Sequence, residues 1–483
     1  MKPHPLRRSL RALAAAGFAA GLAACATPGV VPEHPAALTT GALGVTTSAA
    51  ETAAAADPLA ADWYRQFDDA ALNALIERAL AGSPTLAAAA ARADRAAALA
   101  GIARSGLYPQ VNAAVSSTRQ RYTEHGLVPP AFAGATRTIN DATVSGSWEL
   151  DLFGLHRAQL DAAIGAAHAA AVDAQAARIL LTTRIARGWY ALARLLAQQR
   201  TLEAIRGQRQ QTVGLVQNRV RAGLDTNVEL RQAQTQALEV DRDLAMLDEQ
   251  ITLARHALAA LSGQGPDALA GAAPDWEAAR TLALPAALPV DLLGRRADLT
   301  AARLRVEAGL RDVAAAQAQF YPNISLTAFV GLNAIGFPDW LDGGSRTYGA
   351  GPAIRLPILD AGRLRANLRA RSADVDGAIA AYNGALIDAV RDAADQLTTL
   401  QSLQTQQQRQ ADVQRTADQA ESLATARYRA GLGNFLTVLQ AQTNVLAQRR
   451  VTVDLKYRVV DAQIALVSAL GGGWRGEAAV AAR

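Results

Sequence analysis

The chain has 483 residues, 50% of them hydrophobic, and a formal net charge of +5. Four of its 48 basic residues lie within the first 24 residues, which contain no acid, so the rest is almost neutral, with 44 basic and 43 acidic residues. Such a balance lacks the basic surface that phosphate binding requires, which argues against nucleic acid as a partner. The abundance of alanine and arginine favours long helices.

The first 24 residues have the pattern of an export signal. A basic start is followed by the apolar run ALAAAGFAAGLAA, which is too short for a permanent membrane span. The run ends in LAAC, and Cys25 is the only cysteine of the chain. This motif resembles a bacterial lipobox, which implies a covalent lipid on Cys25. Ala26 is not the aspartate that retains lipoproteins at the inner membrane, so the outer membrane is favoured; a buried cysteine is the alternative.

A short stretch of sequence occurs twice. RVRAGLDTNVELRQAQT at 219–235 returns as RYRAGLGNFLTVLQAQT at 427–443, and LYPQVNA at 107–113 matches FYPNISL at 320–326. The chain is therefore predicted to contain two copies of one unit. Each copy has a helix, a pair of strands, a very long helix, a tight turn at Ala-Gly-Leu and another helix.

The two copies and their flanking segments give the predicted organisation of the chain. The first half comprises a tether (25–60), N-terminal helices (61–107), a β-hairpin (108–153), a helical hairpin (154–263, tip near 222–226) and a linker (264–288). The second half comprises a first helix (289–320), a β-hairpin (321–358), a helical hairpin (359–471, tip near 430–434) and a C-terminal tail (472–483).

The helices are predicted from the spacing of apolar residues and the absence of proline. The stretches 154–222 and 362–430 contain no proline, and each would form a helix of roughly 100 Å. After the first turn, apolar residues from Leu230 to Leu261 recur every three or four positions, the rhythm of a coiled-coil seam. Two helices of an ordinary soluble bundle would show a similar pattern.

Four segments of about ten residues alternate apolar and polar side chains, as strands do when one face is apolar. They are long enough to cross a bilayer at a tilt. Aromatic residues near their ends are placed like an interfacial belt; these are Tyr108, Trp148, Phe320 and Tyr321. A soluble sheet with one wet face would alternate in the same way.

If the four strands span a membrane, they must belong to a closed barrel, because lipid cannot satisfy the polar groups of an open strand edge. Four strands cannot close a barrel. Oligomerisation is therefore implied, and three copies supplying twelve strands are the simplest solution. The predicted fold class is mainly α with a membrane β-barrel.

Several motifs together resemble the outer membrane factor family, the TolC-like exit ducts of tripartite efflux systems. They are ADWYRQFDDAALNALIERAL (61–80), SPTLAAAAAR (83–92), WELDLFG (148–154), GRRADLTAAR (294–303), FYPNISL and the two Arg-x-x-Ala-Gly-Leu turns. Ala297 departs from the family's usual proline. The resemblance, closest to the lipoprotein branch that works with resistance–nodulation–division pumps, implies a trimer with a shared twelve-stranded barrel and a long periplasmic helical barrel.

The resemblance also implies the roles of particular residues. A periplasmic adaptor protein would dock on the two turns, at Ala222, Gly223, Leu224, Ala430, Gly431 and Leu432; these residues could instead form only the turns. A periplasmic gate would involve an acid–tyrosine pair, Glu229 and Tyr428, that ties neighbouring helices together, and a constriction at Leu436, Thr437 and Gln440. Thr437 and Gln440 stand where relatives often carry aspartates. A solvated helix face is the alternative role for Glu229.

Enzymatic function is not expected. The six histidines form no His-Glu-x-x-His pair, and neither Gly-x-Ser-x-Gly nor a phosphate-binding Gly-x-x-x-x-Gly-Lys occurs. No metal or cofactor is predicted beyond the lipid on Cys25. The expected partners are two further copies of the chain, the adaptor, an inner-membrane pump and outer membrane lipid. A membrane-tethered coiled coil and an exit duct for protein secretion are the alternatives.

Overall fold

The computed structural model describes residues 33–43, 60–274, 296–474 and residue 476. Cys25 and the predicted signal lie outside the described residues, as do much of the tether, part of the linker and most of the C-terminal tail. Among the helices of the described ranges, none has both the length and the apolar character of a membrane span.

From the helix that precedes each strand pair onward, both halves of the chain have the same order of elements. The helices are α1 (Ala70–Gly82), α2 (Pro84–Ser105), α3 (Leu155–Arg221), α4 (Asn227–Leu261), α5 (Ala297–Ala318), α6 (Arg363–Arg429) and α7 (Phe435–Ala469). The strands are β1 (Gln110–Arg121), β2 (Thr136–Leu150), β3 (Asn323–Ile335) and β4 (Arg346–Arg355). Helices α3 and α6 each have 67 residues, and α4 and α7 each have 35. The mainly helical fold with an internal repeat is confirmed.

The four strands form one antiparallel sheet in the order β1-β2-β3-β4. Strands β2 and β3 join the two repeats, with Val144 opposite Val330 and Trp148 opposite Leu326. Directly opposite residues share a face, so these four side chains, all exposed in the single chain, lie on one apolar face. Strand β2 begins at Thr136, and residues 136–140 already pair with β1.

The strands turn into the long helices through two equivalent connections. Asp151 accepts hydrogen bonds from the backbone N–H groups of His156 and Arg157, at 3.0 and 2.9 Å. Asp360 accepts them from Gly362 and Leu364, at 3.0 and 2.8 Å. Each carboxylate thus satisfies amide groups at a helix start that have no partner within the helix.

One compact unit contains the sheet and is formed by Ala93–Ala170, Ala302–Tyr382 and residues 33–37. Its helical core is an apolar cluster of Val313, Ala316, Phe320, Leu364, Leu368, Val375 and Ile379. Phe320 was predicted to be an interface aromatic, and that prediction is wrong. Its backbone N–H donates to Gln317 and continues the last turn of α5, which directs the ring into this core.

The other predicted belt residues are exposed in the single chain. These are Tyr108, Trp148 and Tyr321, and the Trp148 indole N–H donates to the carbonyl oxygen of Leu107 at 3.0 Å. Phe153, which was not among the predicted belt residues, stacks on Tyr321 with ring centroids 4.9 Å apart. The aromatic residue that accompanies Tyr321 where strands meet helices is therefore Phe153 rather than Phe320.

Within the described residues, the second unit comprises 38–43, 60–92, 171–274, 296–301, 383–474 and 476, and it contains both helical hairpin tips. The apolar seam of α4 faces its interior, with five positions buried: Ala233, Val240, Leu247, Ile251 and Leu258. The corresponding seam of α7 is buried at Val438, Val445, Leu455, Ala462 and Leu466. Packing of these stripes, rather than helix propensity alone, stabilises helices of this length.

Candidate functional site at the helical hairpin tips

The two Ala-Gly-Leu turns have the same backbone geometry. Gly223 and Gly431 adopt φ values of 74° and 76°, in the left-handed region. The N–H of Leu224 donates to Arg219 at 2.9 Å, and that of Leu432 donates to Arg427 at 2.8 Å. Each helix therefore ends in a Schellman motif. No atom lies within 4 Å of a Cβ placed on either glycine, so backbone conformation, not space, requires glycine there.

All six predicted docking residues lie on the exposed surface of the tips in the single chain. Leu224 and Leu432 are the large apolar side chains among them, with 65% and 71% of their surface accessible. Two neighbouring apolar side chains, Val228 and Leu436, are also exposed. The tips thus present pairs of apolar residues on turns whose backbone is already fixed, which suits them to contact a partner.

The helices that follow the turns begin with side-chain caps. Thr226 and Glu229 form a reciprocal capping box at the start of α4, in which Glu229 accepts from the Thr226 backbone N–H at 2.9 Å. Hydrogen bonds from the Thr226 hydroxyl and from backbone amides lower the pKa of Glu229. Asn434 caps α7 by accepting from the Thr437 N–H at 3.0 Å.

The acid that binds Tyr428 is Asp225, and the predicted pair of Glu229 with Tyr428 is wrong. The Tyr428 hydroxyl donates to the Asp225 carboxylate. Arg219 donates to the same carboxylate through Nε at 2.9 Å and Nη2 at 3.3 Å, and its guanidinium lies 4.5 Å from the centre of the Tyr428 ring. Glu229 is held by its own capping box and is not the partner of Tyr428.

Arg219, Asp225 and Tyr428, here called the tip lock, connect the first helical hairpin to the second. Burial alone would raise the pKa of Asp225, but hydrogen bonds from Arg219 and Tyr428 and the charge of Arg219 outweigh it, so the pKa is lowered. Burial, followed by the bond to Asp225, raises the pKa of Tyr428. At neutral pH the lock is therefore an ionised carboxylate held by an arginine and a neutral phenol.

The signal that could have revealed the lock is an asymmetry in the repeat. At the spacing of the repeat, Asp225 corresponds to Gly433 and Tyr428 corresponds to Val220. The first tip therefore supplies the acid and the second supplies the phenol, whereas an arginine occurs in both, as Arg219 and Arg427. The acid and the phenol thus stand at positions where the two copies differ, not among their shared residues.

The predicted gate residues separate into a buried and an exposed set. Tyr428 is buried with Val216, Ala233, Phe435 and Val438. Leu436, Thr437 and Gln440 are exposed in the single chain, and Thr437 also donates its hydroxyl to Asn434 at 2.7 Å. Their role in a constriction stays a prediction. In the described ranges, no group of His, Cys, Asp or Glu is placed to hold a metal ion.

Comparison with known proteins places this fold among outer membrane channels. The chain is 35% identical over 423 residues to the multidrug resistance outer membrane protein MdtP of Shigella flexneri, covering 86% of this chain and 87% of MdtP. It is 38% identical over 322 residues to the fusaric acid resistance protein FusA of Burkholderia cepacia, covering 65% of this chain and 60% of FusA.

Solved structures agree with the sequence comparison. The outer membrane protein VceC of Vibrio cholerae superimposes with a TM-score of 0.80 at 37% identity, covering 86% of this chain and 100% of VceC. The family model described as outer membrane efflux protein matches residues 75–264 and 288–472, which include both strand pairs and both tips. The chain belongs to the outer membrane efflux protein family.

Proposed function

We propose that three copies of this chain form the exit duct of a tripartite efflux system, with a shared twelve-stranded barrel in the outer membrane. The observation that carries this proposal is the open sheet: β1 pairs only with β2, and β4 only with β3, within the described residues. In lipid each free edge needs a partner strand, and a neighbouring copy provides one. The exposed apolar face of the sheet is suited to contact acyl chains.

The long helical hairpins would extend into the periplasm and meet a periplasmic adaptor at the Ala-Gly-Leu turns. The adaptor would link the duct to an inner-membrane pump of the resistance–nodulation–division class, which supplies the energy. The duct itself conducts passively. Relatives named for multidrug and fusaric acid resistance support small toxic molecules as the substrate class.

The tip lock supports a closed resting state. It ties α3 and the first turn to α6 through Asp225 and Tyr428. Adaptor binding at the adjacent turns would separate these groups and widen the periplasmic end. Opening would then require the loss of a few specific hydrogen bonds rather than the unfolding of a helix.

The proposal is tested with purified protein in detergent and in planar lipid bilayers. We expect a homotrimer that inserts and gives small, rarely opening channels. A monomer that stays in solution after its lipid is removed, and that gives no conductance, would instead support a tethered coiled coil.

Lipidation of Cys25 is a second part of the proposal, supported by the LAAC motif. Cys25→Ser is expected to abolish incorporation of labelled palmitate and to leave the signal uncleaved by the lipoprotein peptidase. Mass spectrometry of the N-terminal peptide checks this result. An unmodified Cys25 in wild-type protein from outer membranes would contradict it.

The constriction at Leu436, Thr437 and Gln440 leads to a prediction about cations. Gln440→Asp in a trimer would add three carboxylates at one level, so we expect divalent cations to block the channel at roughly tenfold lower concentration. Single-channel recording measures the block. Gln408→Asp, on an exposed part of α6 distant from the tip, is the matched control. Equal block in both variants would place Gln440 outside the constriction.

A further inference from the structure

A buried arginine lies among the helices of the two hairpins, away from the tip lock. Only 3% of the Arg209 surface is accessible, and its Nη1 donates to Oε1 of Gln442 at 2.5 Å. Arg209 belongs to α3 and Gln442 to α7, so this bond joins the first helix of one hairpin to the second helix of the other. Gln442 is itself buried.

Polar groups from the surrounding helices complete the site. The Gln442 amide nitrogen lies 3.4 Å from Oε1 of Glu421, and Gln208 donates to the same carboxylate at 2.8 Å. Burial lowers the pKa of Arg209, and the charges of Glu239 on α4 and Glu421 on α6 act in the opposite direction. The guanidinium is therefore compensated by groups from all three neighbouring helices. We call Arg209, Glu421 and Gln442 the buried junction.

The repeat contains this junction only once. At the same spacing, Arg209 corresponds to Ala417, which is buried, and Glu421 corresponds to Val213 in the apolar cluster of the tip. The counterpart of Gln442 is Gln234, which accepts a hydrogen bond from Arg231 of its own helix. In the other copy, apolar residues at the positions of Arg209 and Glu421 are sufficient for helix packing. Packing alone therefore does not explain the buried charge of Arg209.

A buried charge favours one register of two helices over all others. Sliding α7 along α3 by one turn, about 5.4 Å, would remove Gln442 from Arg209 and leave the guanidinium buried without an acceptor. The junction stands fourteen residues before Gly223 on α3, roughly 21 Å along the helix. The same two hairpins carry the tip lock, in which Tyr428 must reach Asp225.

We infer that Arg209 is a positioning residue for the gate: it fixes the register of the second hairpin against the first, so that Tyr428 meets Asp225 when the duct closes. This role rests on the proposed function as a gated duct. Arg209 does not contact the tip lock and acts through Gln442. It also gives the tips a fixed point from which they can separate sideways without sliding.

Arg209→Met tests the inference, because methionine fills much of the volume without a charge to bury. We expect folded trimers whose open probability in planar bilayers rises on the order of tenfold, the effect of losing one buried hydrogen bond to a charged group. Gln442→Met removes the same bond from the other helix but leaves the guanidinium buried without this acceptor, so its increase should be at least as large. Arg209→Lys should fall between wild type and Arg209→Met.

The matched control is Arg206→Met, three residues earlier on the same helix, where Arg206 forms an exposed ion pair with Asp241. It should gate like wild type. A double variant separates positioning from general stability: in an Asp225→Asn background, Arg209→Met should add almost nothing, since the lock is already broken.

Additive effects in the double variant, or wild-type gating in Arg209→Met, would overturn the inference. If Arg209→Met does not assemble, Gln442→Met decides the question by the same criteria. A wild-type protein that forms no channel would contradict the proposed function itself, whereas normal wild-type channels with unaffected variants would contradict only the role of Arg209.

Discussion

Asp225→Asn is expected to shift the duct strongly towards its open form. The substitution keeps the size of the side chain but removes the charge that Arg219 and Tyr428 both bind. The Arg219 and Asp225 side chains are only 15% and 10% exposed, so solvent screens their interaction weakly. Losing such charged hydrogen bonds costs about 3 kcal/mol, or roughly a hundredfold in the open-to-closed ratio. Single-channel open probability in planar bilayers measures the change.

The same lock predicts the direction of a pH effect. The pKa of Asp225 is lowered when the lock is closed, so the ionised carboxylate stabilises the closed form above the ordinary value of 3.8. This stabilisation begins to decline as the pH falls below 3.8, and it is lost as the pH falls further, through the lowered pKa of Asp225. Wild-type open probability should therefore increase only in that acid range, and Asp225→Asn should show no such increase.

Glu229→Gln is the control for both experiments. It changes the charge of a neighbouring acid that is held in the capping box and is not a partner of Tyr428. We expect a small loss of helix stability from the weakened cap, with little change in gating. If Glu229→Gln opened the channel and Asp225→Asn did not, Glu229 rather than Asp225 would be the functional partner of Tyr428.

Leu432→Asp is expected to abolish efflux in cells while leaving the isolated channel unchanged. Leu432 is more exposed than its counterpart Leu224, and a carboxylate there would become buried without a partner when an adaptor docks. A loss of about 3 kcal/mol would weaken adaptor binding by more than a hundredfold. Drug susceptibility of cells and the conductance of the purified protein are measured side by side.

Leu423→Asp is the matched control for the docking prediction. Leu423 is 66% exposed, similar to the 71% of Leu432, but it lies on α6 two turns before the hairpin tip. Resistance should be retained in this variant. Equal loss of resistance in both variants, or normal resistance in Leu432→Asp, would show that the adaptor does not dock on the turns.

The repeated architecture could be predicted because its signals are local. A run of 67 residues without proline, a heptad seam and a glycine between two helices each specify an element through nearby residues, and both copies confirm the pattern. The alternation of apolar and polar side chains likewise specified four strands. Their common register could not be predicted, because it depends on pairing between residues such as Val144 and Val330, far apart in the chain.

The candidate site was less predictable because its key contacts join distant residues. Asp225 and Tyr428 are separated by 203 positions, and Arg209 and Gln442 by 233. Resemblance suggested an acid and a tyrosine but selected Glu229, which the helix uses for its own cap. Phe320 was wrongly predicted to face outward. The direction of a residue at the end of a helix depends on where the last hydrogen-bonded turn ends, which the sequence pattern does not specify.

Disulfide trapping between copies tests the central claim most directly. Val111 on β1 and Ile354 on β4 lie near the same end of the sheet. Within one chain, two intervening strands separate them by roughly 14 Å across the sheet, and a four-residue offset in register adds roughly 13 Å along the strands. A chain carrying Val111→Cys and Ile354→Cys should form bridges between neighbouring copies in outer membranes, giving dimers and trimers but no larger species. A protein that stays monomeric under oxidation, or that forms the bridge within one chain, would contradict a barrel shared by three copies.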